Sequence, residues 1–187
     1  MNEREAQAAV TAADVLAFWR AAGDKRWFEQ DDIFDAEVRT GFQGVYDDAA
    51  GGRLSRWEVT AEGALALVIV LDQFPRNMFR NSARAFAADP LARAVTGRAI
   101  TRGFDQKVPM PDRVFFYLPF EHSEDLKDQD RCVALMRSTG DADFLKWAEL
   151  HADIIRRFGR FPHRNGVLGR TTTADEQAFL EGGGFKG

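Results

Sequence analysis

Three segments of the chain concentrate the side chains that could bind a ligand or move a proton. They are LDQFPRNMFR (residues 71–80), LPFEHSEDLKDQD (residues 118–130) and RRFGRFPHRN (residues 156–165), which we call polar segments 1, 2 and 3. Segments 1 and 3 share a Phe-Pro pair followed by arginine and asparagine, and segment 2 places a histidine among carboxylates. Arginine binds carboxylates and phosphates through two parallel hydrogen bonds, and histidine exchanges protons near neutral pH. These residue types predict anion binding, with metal binding and acid–base catalysis as the other possible chemistries.

The residues that we predict to bind the ligand are polar, and all of them lie on these segments or on the helix that precedes segment 3. These residues are Asp72, Arg76, Asn77, Arg80, Glu121, His122, Glu124, His151, Arg160, His163, Arg164 and Asn165. In this hypothesis the protein is a helical binding protein whose arginines hold a small anionic ligand or an acidic segment of a partner protein. Asp72 and Glu121 orient the arginines. No metal or other cofactor is predicted.

Asp72 is predicted to lie in the last turn of a buried helix, where the helix dipole is negative and an unpaired carboxylate is unfavourable. It therefore requires a cation. The candidates are Arg76, Arg80, Arg160 and Arg164. Glu121, Glu124 and Asp125 lie near a predicted helix N-terminus, where negative charge is stabilised. Arginine–carboxylate networks are also often purely structural, so a network that only fixes helix ends is an alternative interpretation.

Segment 2 also leaves a metal site open as an alternative. Glu121, His122 and Glu124 are ligand types that suit a divalent ion, and His151 or His163 would complete the set. The chain has no HExxH, HxH or CxxC spacing, which weakens this prediction. His151 is either a core histidine that hydrogen-bonds a neighbour or a general base or metal ligand. A metal-assisted hydrolase is therefore the alternative function, and a structural or interaction scaffold is the second alternative.

Apolar residues recur at steps of three and four along most of the chain, which predicts helices. Capping residues and glycine or proline stops set their ends. The predicted ranges are about 11–23, 32–50, 60–74, 89–103, 111–119, 124–137, 141–159 and 173–182. Gly23, Pro75 and Pro119 are predicted stops, and Asp89 is a predicted N-cap. In the sixth and seventh helices the residues predicted to face inward are Leu126, Val133, Met136, Phe144, Trp147, Ala148, His151, Ile155 and Phe158.

About eight helices with mostly short connections predict an all-α protein of antiparallel helix pairs. The pairs recur at roughly the 34 to 45 residues of helical solenoids, although no tetratricopeptide consensus is legible. If helix directions alternate, the third, fifth and seventh helices end at the pole where the sixth begins, and the three polar segments meet there. The long stretch 75–88 could break this alternation or form a functional loop. We expect one domain over residues 1–187, with flexible ends at about 1–10 and 182–187.

Composition excludes several functional classes. The chain of 187 residues is 45% hydrophobic and contains 16 Phe, so it is not intrinsically disordered. A formal net charge of −4 gives no general attraction to nucleic acids or anionic lipids. The N-terminus MNEREAQAAV lacks the features of a signal peptide, and the apolar run ALALVIVL is too short to cross a bilayer. We expect a cytoplasmic protein that binds neither nucleic acid nor membrane, with Cys132 as a core residue and the oligomeric state open.

The three polar segments carry a family resemblance. LDQFPRNMFR, RVFFYLPFEHSEDLKDQD and HADIIRRFGRFPHRN are similar to the hallmark segments of the bacterial proteins known as domain of unknown function 924. The resemblance extends over about residues 15–180. It implies an all-helical, tetratricopeptide-like (α-solenoid) fold. It implies no activity and brings no catalytic residues, so the predicted site rests on residue chemistry.

Overall fold

Eight α-helices make up most of the chain in the computed structural model, which describes residues 10–185. They are α1 (Ala12–Phe28), α2 (Asp32–Ala50), α3 (Ala61–Met78), α4 (Asp89–Thr101), α5 (Leu118–Glu121), α6 (Leu126–Thr139), α7 (Ala142–Phe158) and α8 (Ala174–Glu181). No β-strand occurs within residues 10–185. The prediction of an all-α protein with about eight helices is confirmed. The tetratricopeptide-like arrangement of the helix pairs stays a prediction.

The hydrophobic core is built around α3. Helices α1, α2 and α4 all pack against it, and its apolar run Ala64–Leu71 has no residue more than 3% exposed. A helix that is apolar on every side is stable only when other elements surround it. Because α3 is central, the polar side chains near its C-terminal end, Asp72 and Asn77, are buried as well.

Pro75 lies inside α3, and the prediction that the helix stops before it is wrong. The helix continues to Met78, and the amide of Phe79 donates to the carbonyl of Pro75 at 2.9 Å. Proline removes one helical hydrogen bond, but here it does so close to the helix end, and the burial of Phe74 and Met78 on either side favours continuing the helix. The continuation keeps residues four apart in sequence side by side at this end.

Two other predicted stops also lie within or at the start of helices. Gly23 breaks the helical geometry of α1 with φ 73°, but the helix resumes and ends at Phe28. Pro119 lies in the first turn of α5, where backbone N–H groups have no acceptor within the helix, so a proline there costs no helical hydrogen bond. The predicted aromatic helix is instead a 3₁₀ turn, Asp112–Phe116, followed by α5.

Some predicted caps and core positions also differ from the structure. Asp89 begins α4 without capping it, because its carboxylate pairs with Arg76. Leu126 is 41% exposed, since it lies in the first turn of α6 just beyond the cap Asp125. Trp147 is half-exposed, and the buried face of α7 is formed by smaller residues and His151. Thr173 and Glu176 form a capping box at the start of α8, in agreement with the predicted helix start at residue 173.

The ends of the chain fall partly outside the described range. Of the ends predicted to be flexible, residues 1–9 and 186–187 lie outside it. Phe185 lies inside it, packed against the small hydrophobic cluster of Ile154, Ile155 and Phe161. Across residues 10–185 no helix combines the length and apolarity needed to cross a membrane.

Candidate functional site

The three polar segments meet at one end of the helix bundle. Asp72, near the end of α3, lies 2.9 Å from Nδ1 of His122, which follows α5. Nη1 of Arg164, on the 3₁₀ turn Pro162–Arg164 after α7, donates to the main-chain carbonyl of His122 at 3.0 Å. The amide of Phe161 donates to Glu124 Oε1 at 2.9 Å. We call Asp72, Arg76, His122 and Arg164 the polar cluster.

Asp72 is a fully buried carboxylate held by three neighbours. Nη1 of Arg76, one turn along α3, and Nδ1 of His122 both contact Oδ1, at 3.3 and 2.9 Å, and Gln73 donates to Oδ2 at 2.5 Å. Burial disfavours the charge of Asp72, but Arg76 and then His122 outweigh it and hold its pKa below the usual range. Asp72 is therefore ionised at neutral pH.

Arg76 is shared between two carboxylates. Besides Asp72 it forms a bidentate pair with Asp89, with both hydrogen bonds at 3.1 Å. Burial works against its charge, but Asp72 and Asp89 more than offset this and raise its pKa. Arg76 is therefore the cation that Asp72 requires at the end of its helix. Sequence reasoning missed the second partner of Arg76, Asp89, because Asp89 resembled an N-cap.

His122 is a neutral imidazole, and one of its ring nitrogens has a fixed hydrogen-bond partner. Burial and then Arg76 lower its pKa, and Asp72 only partly opposes them. An ionised carboxylate accepts hydrogen bonds only, so Nδ1 of His122 carries the hydrogen that faces Asp72. Its Nε2 therefore has a lone pair. The side chain is 16% exposed, in contrast to Asp72, so it lies at the outer edge of the polar cluster.

Arg164 is 6% exposed and forms no ion pair among residues 10–185. Its guanidinium lies over two aromatic rings, 4.6 Å from the centre of Phe86 and 4.4 Å from that of Phe161. Its Nε has no acceptor among the described residues. Burial, followed by the charge of Arg76, lowers the pKa of Arg164 to about 10. The group remains charged at neutral pH in a site that disfavours charge.

Two neighbours of Arg164 on segment 3 are also only partly satisfied. Nδ1 of His163 has no partner in the described part of the chain, and burial followed by Arg164 lowers the pKa of this imidazole to about 4. Asn165 donates to Glu176 at 3.1 Å, while its carbonyl oxygen has no donor among residues 10–185. Unpaired buried polar atoms are rare, and here they lie on three consecutive residues.

Glu121, His151 and Cys132 form a second group of buried side chains. Burial and then Asp72 raise the pKa of Glu121 to about 8, so this side chain is protonated at neutral pH. His151 hydrogen-bonds the carbonyl of Trp147 at 2.8 Å and lies 3.4 Å from Glu121. Burial is the main cause that lowers the pKa of His151 to about 3. His151 thus hydrogen-bonds a neighbour, as expected of a core histidine. Burial also raises the pKa of the adjacent Cys132.

Four other predicted site residues are engaged elsewhere. Arg80 and Asn77 both bind Asp35, with Arg80 Nη2 at 2.9 Å and Asn77 Nδ2 at 2.8 Å. Arg160 forms a bidentate pair with Glu176, and Glu124 forms one with Arg170. These partners lie 16 to 46 residues away in sequence, where no local spacing indicated them.

Two surface depressions lie away from the polar cluster. One of about 370 Å³ is lined by Arg157, Ala178, Phe179 and the glycines 182–184. The other, about 690 Å³, is largely apolar and lies along the first turns of α2. In the described part of the chain no group of three or more His, Cys, Asp or Glu side chains is arranged to hold a metal ion. Segment 2 therefore does not form the ligand set that the metal alternative requires.

The fold and site define an all-helical protein with a buried cluster of arginine, aspartate and histidine at one end of its bundle. Residues 15–184 match the family model described as bacterial protein of unknown function (DUF924), and the chain belongs to this family. A solved structure, that of the protein of unknown function ATU0120 from Agrobacterium tumefaciens, is 48% identical. That match covers 91% of this chain and 97% of the other, with a TM-score of 0.89. A search of curated proteins gives no match.

Proposed function

We propose that the protein binds a small oxyanion, or the anionic end of a larger molecule, through Arg164. The observation that carries this proposal is a buried guanidinium that contacts no carboxylate among residues 10–185. A buried charge without a partner costs several kcal/mol, so a protein normally pairs it. Arginine has five N–H donors, and only one of them here has a protein acceptor, a main-chain carbonyl.

The other arginines of the predicted site serve as an internal comparison. Arg76, Arg80 and Arg160 each form an ion pair with a carboxylate that is at most 8% exposed. A network that only fixed helix ends would be expected to pair Arg164 in the same way. Its different surroundings favour an additional partner from outside the chain.

The carboxylates near Arg164 already have other cations. Asp89, Glu124 and Asp72 raise its pKa through space, in that order of effect, but none lies within ion-pair distance. Asp89 and Asp72 contact Arg76, and Glu124 contacts Arg170. An anion that bound Arg164 would therefore not have to displace an existing ion pair.

Loss of Arg164 is expected to weaken anion binding. Arg164→Met should weaken binding of sulfate or malonate about 10- to 100-fold, because charge-assisted hydrogen bonds contribute about 1.5–3 kcal/mol. Isothermal titration calorimetry measures the affinity. Arg156→Met is the control, since Arg156 is half-exposed and pairs with Asp130 and Asp153 at the surface. Wild-type protein that binds neither anion, or Arg164→Met that binds as the wild type does, contradicts the proposal.

The same variant should separate a binding role from a structural one by its effect on stability. Arg164→Met removes an unpaired buried charge, so the free energy of unfolding is expected to stay within about 1 kcal/mol of wild type or to rise. Arg80→Met is the matched comparison and should lose about 3 kcal/mol, because it leaves the buried Asp35 without its arginine. Urea unfolding measures both. If Arg164→Met loses as much as Arg80→Met, Arg164 is a structural residue.

A further inference from the structure

We infer that the site takes up one proton together with its anion, and that Nε2 of His122 receives this proton. The bound oxyanion would then lie between the guanidinium of Arg164 and an imidazolium at His122. This inference rests on the proposed anion site, and it names the proton-accepting residue and the ligand class, which is an oxyanion able to accept hydrogen bonds from two cations.

The first support is the orientation of the His122 ring. Asp72 holds Nδ1 at 2.9 Å and is itself held by Arg76 and Gln73, so the ring cannot present Nδ1 to a ligand without losing this contact. Nε2 is the nitrogen that is left for a proton. A carboxylate on the far side of an imidazole also stabilises the imidazolium that forms when Nε2 is protonated.

The second support is the position of Arg164 relative to this ring. Its Nη1 donates to the main-chain carbonyl of His122 at 3.0 Å, so the guanidinium lies next to the residue that carries the imidazole. Nε of Arg164 is buried and has no acceptor among residues 10–185, so it is available to donate to an anion. An anion that accepts from the guanidinium of Arg164 would therefore bind beside His122, whose side chain is 16% exposed.

The charges around His122 explain why it is neutral before the anion binds. From α3 it faces Asp72 and Arg76, from α4 Asp89, from α7 His151, and from segment 3 His163 and Arg164, with Glu121 preceding it in the chain. Burial and Arg76 oppose a second positive charge at this position. A bound anion offsets both of these effects, because it neutralises the arginines and pairs directly with the imidazolium.

The other two histidines lack the contacts that this role requires. His163 has no carboxylate within ion-pair distance among residues 10–185, and Glu124 stabilises its imidazolium only through space. His151 lies 3.4 Å from Glu121, but that carboxyl group is protonated at neutral pH. Of the three histidines, His122 alone has an ionised carboxylate in contact.

This arrangement suits proton transfer to an oxygen of the bound molecule. In such a step the Nε2–H bond breaks, its electron pair stays on nitrogen, and the proton forms an O–H bond with the ligand. The imidazole then returns to the neutral form that the unliganded site favours.

Calorimetric titration with sulfate tests the inference, because sulfate does not itself titrate between pH 5 and 9. At pH 7, titrations in buffers of different ionisation enthalpy should show uptake approaching one proton per sulfate. Affinity should fall up to about tenfold per pH unit as the pH rises. His122→Gln should bind sulfate more weakly, with no proton uptake and with an affinity that is independent of pH from 6 to 8.

The outcomes separate this inference from the proposed function. Wild-type protein that fails to bind sulfate contradicts both. Binding that Arg164→Met abolishes, but that takes up no proton in the wild type, leaves the anion site standing and overturns the role of His122. Proton uptake that persists in His122→Gln assigns the proton to another group and also overturns it.

Discussion

Glu121→Gln is expected to stabilise the protein above pH 7 and to change its stability little at pH 4. Glu121 is 5% exposed and its pKa is raised from 4.5 to about 8, first by burial and then by Asp72. A raised pKa means that the stability contributed by the protonated form is complete below pH 4.5 and is lost as the pH rises through 8. Glutamine keeps the shape and cannot ionise. The difference in unfolding free energy should therefore grow to roughly 4 kcal/mol by pH 8, at 1.36 kcal/mol per pH unit.

Urea unfolding at pH 4, 6 and 8 measures this difference. Glu124→Gln is the matched control, three residues away and half-buried, with an opposite shift. Burial raises the pKa of Glu124, but Arg170 and the amide of Phe161 outweigh it and lower the pKa, so its contribution is present above pH 4.5 and lost in acid. Glu124→Gln should therefore destabilise at pH 7 and matter less at pH 3. A Glu121→Gln difference that stays constant from pH 4 to 8 shows that folding does not raise the pKa of Glu121.

A protonated Glu121 clarifies how the polar cluster tolerates its charges. If Glu121 were ionised, it would add a third carboxylate close to Asp72 and Asp89, and His122 would gain a second reason to be protonated. With Glu121 neutral, the ionised carboxylates close to Arg76 are Asp72 and Asp89, and Arg76 contacts both of them. In the proposed function, an anion at Arg164 would add a negative charge to this cluster, and a proton on His122 would offset it.

Local signals predicted a good part of the fold. The caps Thr11, Thr60 and Thr173 and the helix end at Gly159 are all present, because each depends only on hydrogen bonds within one turn. Pro75 was misjudged for the same reason. A local rule counts only the hydrogen bond that proline removes. The burial of the surrounding turn in the core outweighs that loss, and this burial depends on the whole fold.

The site was predictable to the extent that electrostatics near a helix end determine it. The position of Asp72 required a cation, and Arg76 was available four residues later on the same helix face. The pairing of Arg80 with Asp35 joins residues 45 apart, and nothing in the spacing distinguishes Arg80 from Arg164. That Arg164 contacts no carboxylate follows only when the nearby acids Asp72, Asp89 and Glu124 are seen to pair with other arginines. The aromatic rings that flank it, Phe86 and Phe161, come from separate parts of the chain.

Asp72→Asn is expected to lower the free energy of unfolding by about 3–5 kcal/mol at pH 7, the cost of removing one partner from a buried ion pair. Asp72 is fully buried against Arg76 and His122, and the change keeps its shape while removing its charge. Because its pKa is lowered in the folded chain, the contribution of Asp72 is present above pH 3.8 and is lost as the pH falls below that value. The deficit of the variant should therefore narrow at pH 3.

Asp153→Asn is the control for this change. Asp153 also pairs with an arginine on its own helix, but its side chain is 74% exposed, so the substitution should alter stability by less than about 0.5 kcal/mol. Asp72→Asn should also affect proton uptake, since an asparagine amide that donates to Nδ1 of His122 places the ring hydrogen on Nε2. Sulfate would then still bind Arg164, but without a proton. An Asp72→Asn protein with wild-type stability and undiminished proton uptake would show that Asp72 neither holds the cluster together nor positions His122.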